Sequence, residues 1–317
     1  MHTAPLFDER PAFDRARLAV RLQSLAARSI WVGTSSWKYE GWLGQVYTRE
    51  RYMARGAFSR KRFEAECLRE YAGTFPIVCG DFSFYQFPPQ QYWDRLFASA
   101  PPTLQFAFKV PEQVTAKVWP AHDRYGPQSG LVNSSFLDAA LFEEAFVRPL
   151  LRYREQVAVL ILEFGTFPRQ AYPHVREFLS DLERFLHAVP RTFRLAVEVR
   201  NPEYLGPEYF HCLRANGAAH VFNSWTRMPE LAVQLRIPDA LTADFTACRA
   251  LLRRGRRYED AVKLFSPYED IRDPNPEGRS AIRELIAQAQ ANRLAAFVFV
   301  NNRFEGNAPR TIEETVE

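Results

Sequence analysis

The chain has 317 residues, 47% of them apolar and 25% charged, the make-up of an ordinary globular protein rather than a disordered or fibrous one. Lys plus Arg (41) exceed Asp plus Glu (37), a formal charge of +4, which permits anionic partners without demanding them. There is no apolar run long enough to cross a bilayer, and Asp8, Glu9, Arg10, Asp14 and Arg15 interrupt any signal-peptide core, so a cytoplasmic protein with no membrane partner is expected.

Residues 1–12 read as a loose tail. Residues 13–28 read as a helix with Leu18, Leu22 and Leu25 on one face, suited to plugging one end of a barrel or to an interface. A strand at 30–35 runs into a long loop, 36–58, rich in aromatic residues. Helix 59–73 carries the stripe Phe63, Cys67, Leu68 and Tyr71. Strand 76–82, helix 89–99 and strand 104–110 follow. The connection 111–133 is longer than compact domains usually carry, and such loops are often lids. Ser135-x-x-Asp138 reads as a capping box opening helix 135–153. Strand 157–164 precedes helix 171–189, where Phe178, Leu179, Leu182, Phe185 and Leu186 recur at helical spacing. Strand 193–200, helix 205–216 stopping at Asn216-Gly217, and strand 219–224 come next. Residues 231–237 read as a seventh strand, 243–254 and 258–265 as helical, and 273–277 as a rigid turn. Helix 278–292, strand 295–300 and a helical turn from Thr311 complete the chain.

Eight strands, mostly separated by helices and with no break in composition, predict an α/β fold: a single (β/α)8 TIM-type barrel over 30–317, preceded by a tail and helix over 1–29, with long loops after strands 1 and 3. The alternation of side chains along strands supports it. Cys79 and Asp81, Ala107 and Lys109, and Ala196 and Glu198 share one side, small or polar, while Val78, Phe108 and Val197 take the other. A doubly wound open sheet is the main alternative and usually uses fewer strands.

The stretch Leu195-Ala-Val-Glu198-Val-Arg200-Asn201 places a carboxylate and a guanidinium at a strand's C-terminal end, where barrel enzymes build their sites. The other strand ends supply Trp37, Asp81 and Tyr85, Lys109, Glu163, Trp225, Arg236, and Asn301 and Asn302. Several motifs in this order resemble the YecE-like family, the domain of unknown function 72: Gly33-Thr-Ser-Ser-Trp37-x-Tyr39-x-x-Trp42, Phe84-Tyr85, Phe108-Lys-Val-Pro111, Glu198-Val-Arg-Asn-Pro202, Phe265-Ser-Pro-Tyr268 and Asn301-Asn302-x-x-Glu305-Gly306-x-Ala308-Pro309. The resemblance spans about residue 30 to the C-terminus. It implies a TIM-type barrel and site positions but no reaction. The chain departs from that family where Cys79 and Asp81 stand for a usual Glu and Asn, where Ala116 follows Thr115 in place of a His, and where Gly165-Thr166 replaces Pro-Pro. If the missing Glu and His are catalytic in relatives, that step is altered here.

Three chemistries follow from the residue types. Glu198, Asp81 and Glu163 are acid–base candidates if their environments split their pKa values, the bland alternative being that they pair with neighbouring cations. Lys109, Arg200 and Arg236 suit a small anionic ligand, phosphorylated and nucleotide- or sugar-derived, with Asn301 and Asn302 orienting it and Trp37, Tyr85 and Trp225 stacking on it. No cofactor is required. The six histidines lie away from the strand ends, which speaks against a zinc cluster, while magnesium on Asp81, Glu163 and Glu198 stays open. Cys67, Cys79, Cys212 and Cys248 form no paired spacing, which points to a reducing compartment, and Cys79 reads as a small buried core residue. The run Arg253-Arg254-Gly255-Arg256-Arg257, read as a helix end, leaves a nucleic-acid partner as the alternative, with a non-catalytic scaffold as the third reading. Oligomeric state and catalysis itself are left open.

Overall fold

A computed structural model describes residues 12–168 and 170–317; most of the expected N-terminal tail lies outside them. Eight parallel strands close into a barrel: β1 (Ile30–Thr34), β2 (Ile77–Gly80), β3 (Gln105–Lys109), β4 (Val157–Phe164), β5 (Leu195–Val199), β6 (Ala219–Ser224), β7 (Phe245–Ala250) and β8 (Ala295–Val300). Each pairs with its successor, and β8 returns to β1 in continuous register from Ile30↔Ala296 to Thr34↔Val300. The fold is therefore the expected (β/α)8 barrel.

Side-chain alternation divides the core in two. Cys79, Ala107, Ile161, Ala196, Ala247 and Phe299 fill the lumen. Val78, Phe108, Leu162, Val197, Cys248 and Val298 face the surrounding helices. The lumen tolerates only small residues where strands crowd. Gly33 shows this directly: a Cβ there would lie 1.9 Å from the carbonyl oxygen of Ile77 on the adjacent strand.

One region reverses the sequence reading. Residues 231–237 are not a strand; Leu231–Gln234 is a short helix. Leu231, Gln234 and Leu235 are buried at helical spacing, and Gln234 is anchored to Asn223 at the end of β6. The seventh strand is instead Phe245–Ala250, inside the stretch read as helical. Phe245, Ala247 and Arg249 point inward and Thr246, Cys248 and Ala250 outward, but both sides are buried, so the apolar run fits either period. The helix expected from Ser135 starts later, at Ala139, with Asp138 itself as N-cap accepting from the Leu141 N–H at 3.0 Å. The chain ends in helix Ala308–Val316, longer than the turn expected from Thr311. The N-terminal helix Arg15–Ala26 buries Leu18, Leu22 and Leu25 and packs against β1 and this last helix, where Arg21 Nε donates to the Val316 carbonyl at 2.8 Å.

A charged layer closing the barrel mouth

At the C-terminal end of the lumen the inward side chains change from apolar to ionic. Each change falls two residues after a small or aliphatic lumen residue: Cys79 then Asp81, Ala107 then Lys109, Ile161 then Glu163, Ala196 then Glu198, Ala247 then Arg249. Because strand side chains alternate, the charges all enter one layer. With Arg200, just past β5, they form a continuous ion network.

Arg249 is its hub. Its side chain reaches across the lumen from β7, and Nη1 lies 2.5 Å from both Glu163 Oε2 and Glu198 Oε2, while Nη2 lies 3.3 Å from Asp81 Oδ1. Lys109 Nζ stands 2.9 Å from Glu163 Oε2 and 3.9 Å from Asp81. Arg200 Nη2 donates to Glu163 Oε1 at 2.7 Å, and its Nε lies 3.5 Å from Glu198. Three cations thus face three carboxylates. Burial alone would raise the Glu163 carboxyl, but Arg200, Lys109 and Arg249 overcome that and hold it well below the usual carboxylate range. Burial works against the Arg249 charge too, and Glu198 and Glu163 more than restore it, so its pKa is raised. Burial pushes the Cys79 thiol beneath them up to about 12, so it stays a neutral lumen residue.

Solvent reaches this layer unevenly. Glu198 is fully buried and Arg249, Glu163 and Lys109 nearly so, whereas the Asp81 side chain is 33% exposed and that of Arg200 14%. The Arg200 guanidinium lies 3.8 Å from the centroid of the Trp225 ring, and Lys109 Nζ lies 3.8 Å from that of Phe84. These contacts add a cation–π attraction to the ion pairs that hold both cations.

The sequence missed Arg249 because its strand was read as helix. A signal was present: Ala247-x-Arg249 repeats the small-x-charged step of Ala107-x-Lys109 and Ala196-x-Glu198. The same error misplaces Arg236, which is exposed beyond the helix Leu231–Gln234 and makes no ion pair with the network. Among the aromatics, Trp225 touches the network through Arg200. Trp37 is buried edge-on to Phe82, and Tyr85 is half exposed beneath Arg124. Asn302 is engaged elsewhere: its Oδ1 accepts from Trp42 Nε1 at 3.2 Å and from the Ala308 N–H at 2.8 Å, tying the first loop to the last helix. Asn301 Oδ1 accepts from the Arg303 N–H at 3.0 Å.

A magnesium ion held by Asp81, Glu163 and Glu198 does not fit, because the Arg249 guanidinium already stands among the three carboxylates. No group of three or more metal-ligating side chains occurs among the described residues. The basic run is not a helix end; it forms the turn after β7. Arg253 Nη1 binds Asp273 at 2.9 Å, Arg256 binds the same carboxylate at 2.5 Å and Arg257 pairs with Asp260 at 2.9 Å, leaving Arg254 as the exposed member without a charged partner among the described residues.

Beside the network, the loops after β3 and β4 enclose a cleft of about 360 Å³. The 111–133 connection folds over it as a short helix, Glu112–Thr115, and a bridge between Val118 and Val132. Phe84, Trp119 and Phe167 line its walls, with Glu112, Thr115 and Glu163 supplying polar groups. Glu163 therefore belongs to both the ion layer and the cleft.

Fold and site define a (β/α)8 barrel with a charge-balanced layer at its mouth. The chain belongs to the family described as protein of unknown function DUF72, whose model matches residues 31–317. Its structure is similar to that of a DUF72 family protein from Thermotoga maritima, with a TM-score of 0.59 and 20% identity over 90% of this chain and 97% of that one. A DUF72 family protein from Enterococcus faecalis gives a TM-score of 0.60 and 16% identity over 90% of this chain and 95% of the other. At these identities the likeness concerns the fold. No curated protein matches this chain.

Proposed function

We propose that the barrel mouth binds a small anionic, phosphorylated ligand, with Arg200 as the principal contact and Lys109 behind it. The observation that carries this reading is the ion layer itself. Six charged side chains, from the ends of β2, β3, β4, β5 and β7, converge where barrel sites form, and only Arg200 and Asp81 face solvent appreciably. Such a layer is a poor device for stability, since well-packed apolar residues of similar volume usually serve as well or better. Arg200 offers a planar fork already oriented by Trp225, the arrangement that suits phosphate oxygens. Asp81 has the longest contacts of the three carboxylates and the greatest exposure, so it is the group best placed to exchange a proton with a ligand. Glu198, fully buried against Arg249, acts as a positioning residue.

A thermal-shift screen with nucleotides, sugar phosphates, inorganic phosphate and short DNA tests this. Stabilisation by a phosphorylated small molecule, lost in Arg200→Ala and weakened in the charge-retaining Arg200→Lys, is the expected result. A shift with DNA alone, lost in Arg254→Ala, would overturn it in favour of backbone binding. The three-to-three charge balance favours one further reading, a non-catalytic scaffold whose mouth is an internal clasp. That reading expects Arg200→Ala to lower stability while no probe shifts the wild type.

A further inference from the structure

The cleft beneath the 111–133 loop has its own chemistry. Phe84, Trp119 and Phe167 give it flat apolar walls, and its volume of about 360 Å³ leaves room for a ring-sized group between them. Its polar side chains include two carboxylates, Glu112 and Glu163, and the hydroxyl of Thr115, while Lys117 turns its ammonium to Asp181 at 3.3 Å. Glu112 is buried, and the Tyr125 hydroxyl donates to its Oε2 at 2.6 Å; no hydrogen bond engages its Oε1 among the described residues. Glu163 presents the second carboxylate. Thr115 lines the same cleft, is 1% exposed, and its Oγ1 has no partner among the described residues. A buried hydroxyl left unpaired in a cleft wall is a group awaiting a hydrogen bond.

We propose that this cleft seats a sugar ring, so that the ligand of the mouth is a sugar phosphate with its phosphate on Arg200 and its ring hydroxyls on Glu112, Thr115 and Glu163. The inference rests on the phosphate reading above and adds the substrate class. Paired acceptor oxygens beside aromatic faces match a ring whose hydroxyls lie around its edge and whose C–H bonds lie on its faces. An organic cation fits less well, because Lys109, Arg200 and Arg249 already offset Glu163. Burial pushes the Glu112 carboxyl up, partly opposed by the Tyr125 hydrogen bond.

Calorimetric titration of the full chain with glucose 6-phosphate, ribose 5-phosphate, inorganic phosphate and the two free sugars tests the assignment. One sugar phosphate is expected to bind at least roughly tenfold tighter than inorganic phosphate, a gap readily resolved. Glu112→Gln and Trp119→Ala should each shrink that gap while leaving inorganic phosphate binding unchanged, and thermal midpoints report whether each variant folds. Equal affinity for phosphate and both sugar phosphates, all lost in Arg200→Ala, would overturn the sugar assignment and leave the phosphate reading standing. Sugar binding that depends on Trp119 but is indifferent to Arg200→Ala would support the cleft and overturn the phosphate reading. No binding of any probe would overturn both.

Discussion

Replacing Arg249 by Met should expose how tightly the ion layer is balanced. The substitution removes the one cation shared by Glu163, Glu198 and Asp81 and leaves three carboxylates against Lys109 and Arg200. Arg249 is 1% exposed, so water cannot take over its role without opening the barrel end. Breaking a buried ion pair by removing one partner costs about 3–5 kcal/mol, because the survivor stays desolvated. Two contacts at 2.5 Å are lost together here, which places the variant toward the upper end of that range. An unfolding entropy of about 2.1 cal/mol/K per residue over 317 residues converts each kcal/mol into roughly 1.5 °C, so the midpoint should fall by about 5–8 °C. Denaturant unfolding followed by circular dichroism measures the loss directly. The deficit should shrink as the pH falls, since a buried carboxylate without its cation can take up a proton. Adding Glu198→Gln to the variant should restore part of the stability at neutral pH for the same reason. A loss under about 1 kcal/mol, or one indifferent to both pH and Glu198→Gln, would refute the argument.

Other consequences follow from the same structure. The three cations hold the Glu163 carboxyl below its unfolded value; its contribution is therefore present above pH about 4.3 and lost as the pH falls below that. Glu163→Gln should be destabilised at pH 7 and converge on the wild type in acid, as pH-dependent denaturant midpoints would report. His220, buried against Tyr209, Phe210 and Phe222, is pushed by burial from 6.5 down to about 3. It stays neutral in the fold, so stability is full above pH 6.5 and declines as the pH falls toward 3, by roughly 5 kcal/mol over that window. His220→Leu should flatten this decline, with Tyr209 keeping its bond to the Val197 carbonyl. Gly33→Ala would drive a methyl to 1.9 Å from the Ile77 carbonyl oxygen, and backbone cannot yield there as a flexible side chain would. Its cost should reach or exceed the roughly 1–3 kcal/mol typical of overpacking, seen as a lower midpoint or loss of folded protein.

The fold was legible because most of its strands state their own direction. Where small or polar residues alternate with bulky ones, as in Ala107-Phe108-Lys109 or Ala196-Val197-Glu198, the sequence shows which side meets the lumen. β7 hides that signal: Thr246, Cys248 and Ala250 on its outer side are small, whereas Phe245 and Arg249 on its inner side are large, and all are buried. Leu231 to Ile237 misleads in the opposite way, since its apolar residues serve a helix that Gln234 pins to Asn223. Losing β7 cost the site its hub and brought in Arg236. Lys109, Glu163, Glu198, Arg200 and Asp81 were readable as strand-end residues, but their mutual neutralisation was not. Which carboxylate meets which cation depends on the width of the lumen and the reach of an arginine across it. The pairing of Arg253 and Arg256 with Asp273 was equally hidden, because the partners come from different loops. The cleft needs the 111–133 connection to fold back over Phe167, a long-range event that no local pattern announces.

The most direct test of the anion site is a calorimetric titration of the phosphorylated compound that stabilises the protein most, into wild type and Arg200→Ala side by side. The proposed anion site predicts saturable binding to the wild type, worth roughly 2.7 kcal/mol of added stability at a hundred times the dissociation constant, and none to the variant. Equal affinity in the two proteins, with Arg200→Ala still folded, would contradict an anion site at the barrel mouth.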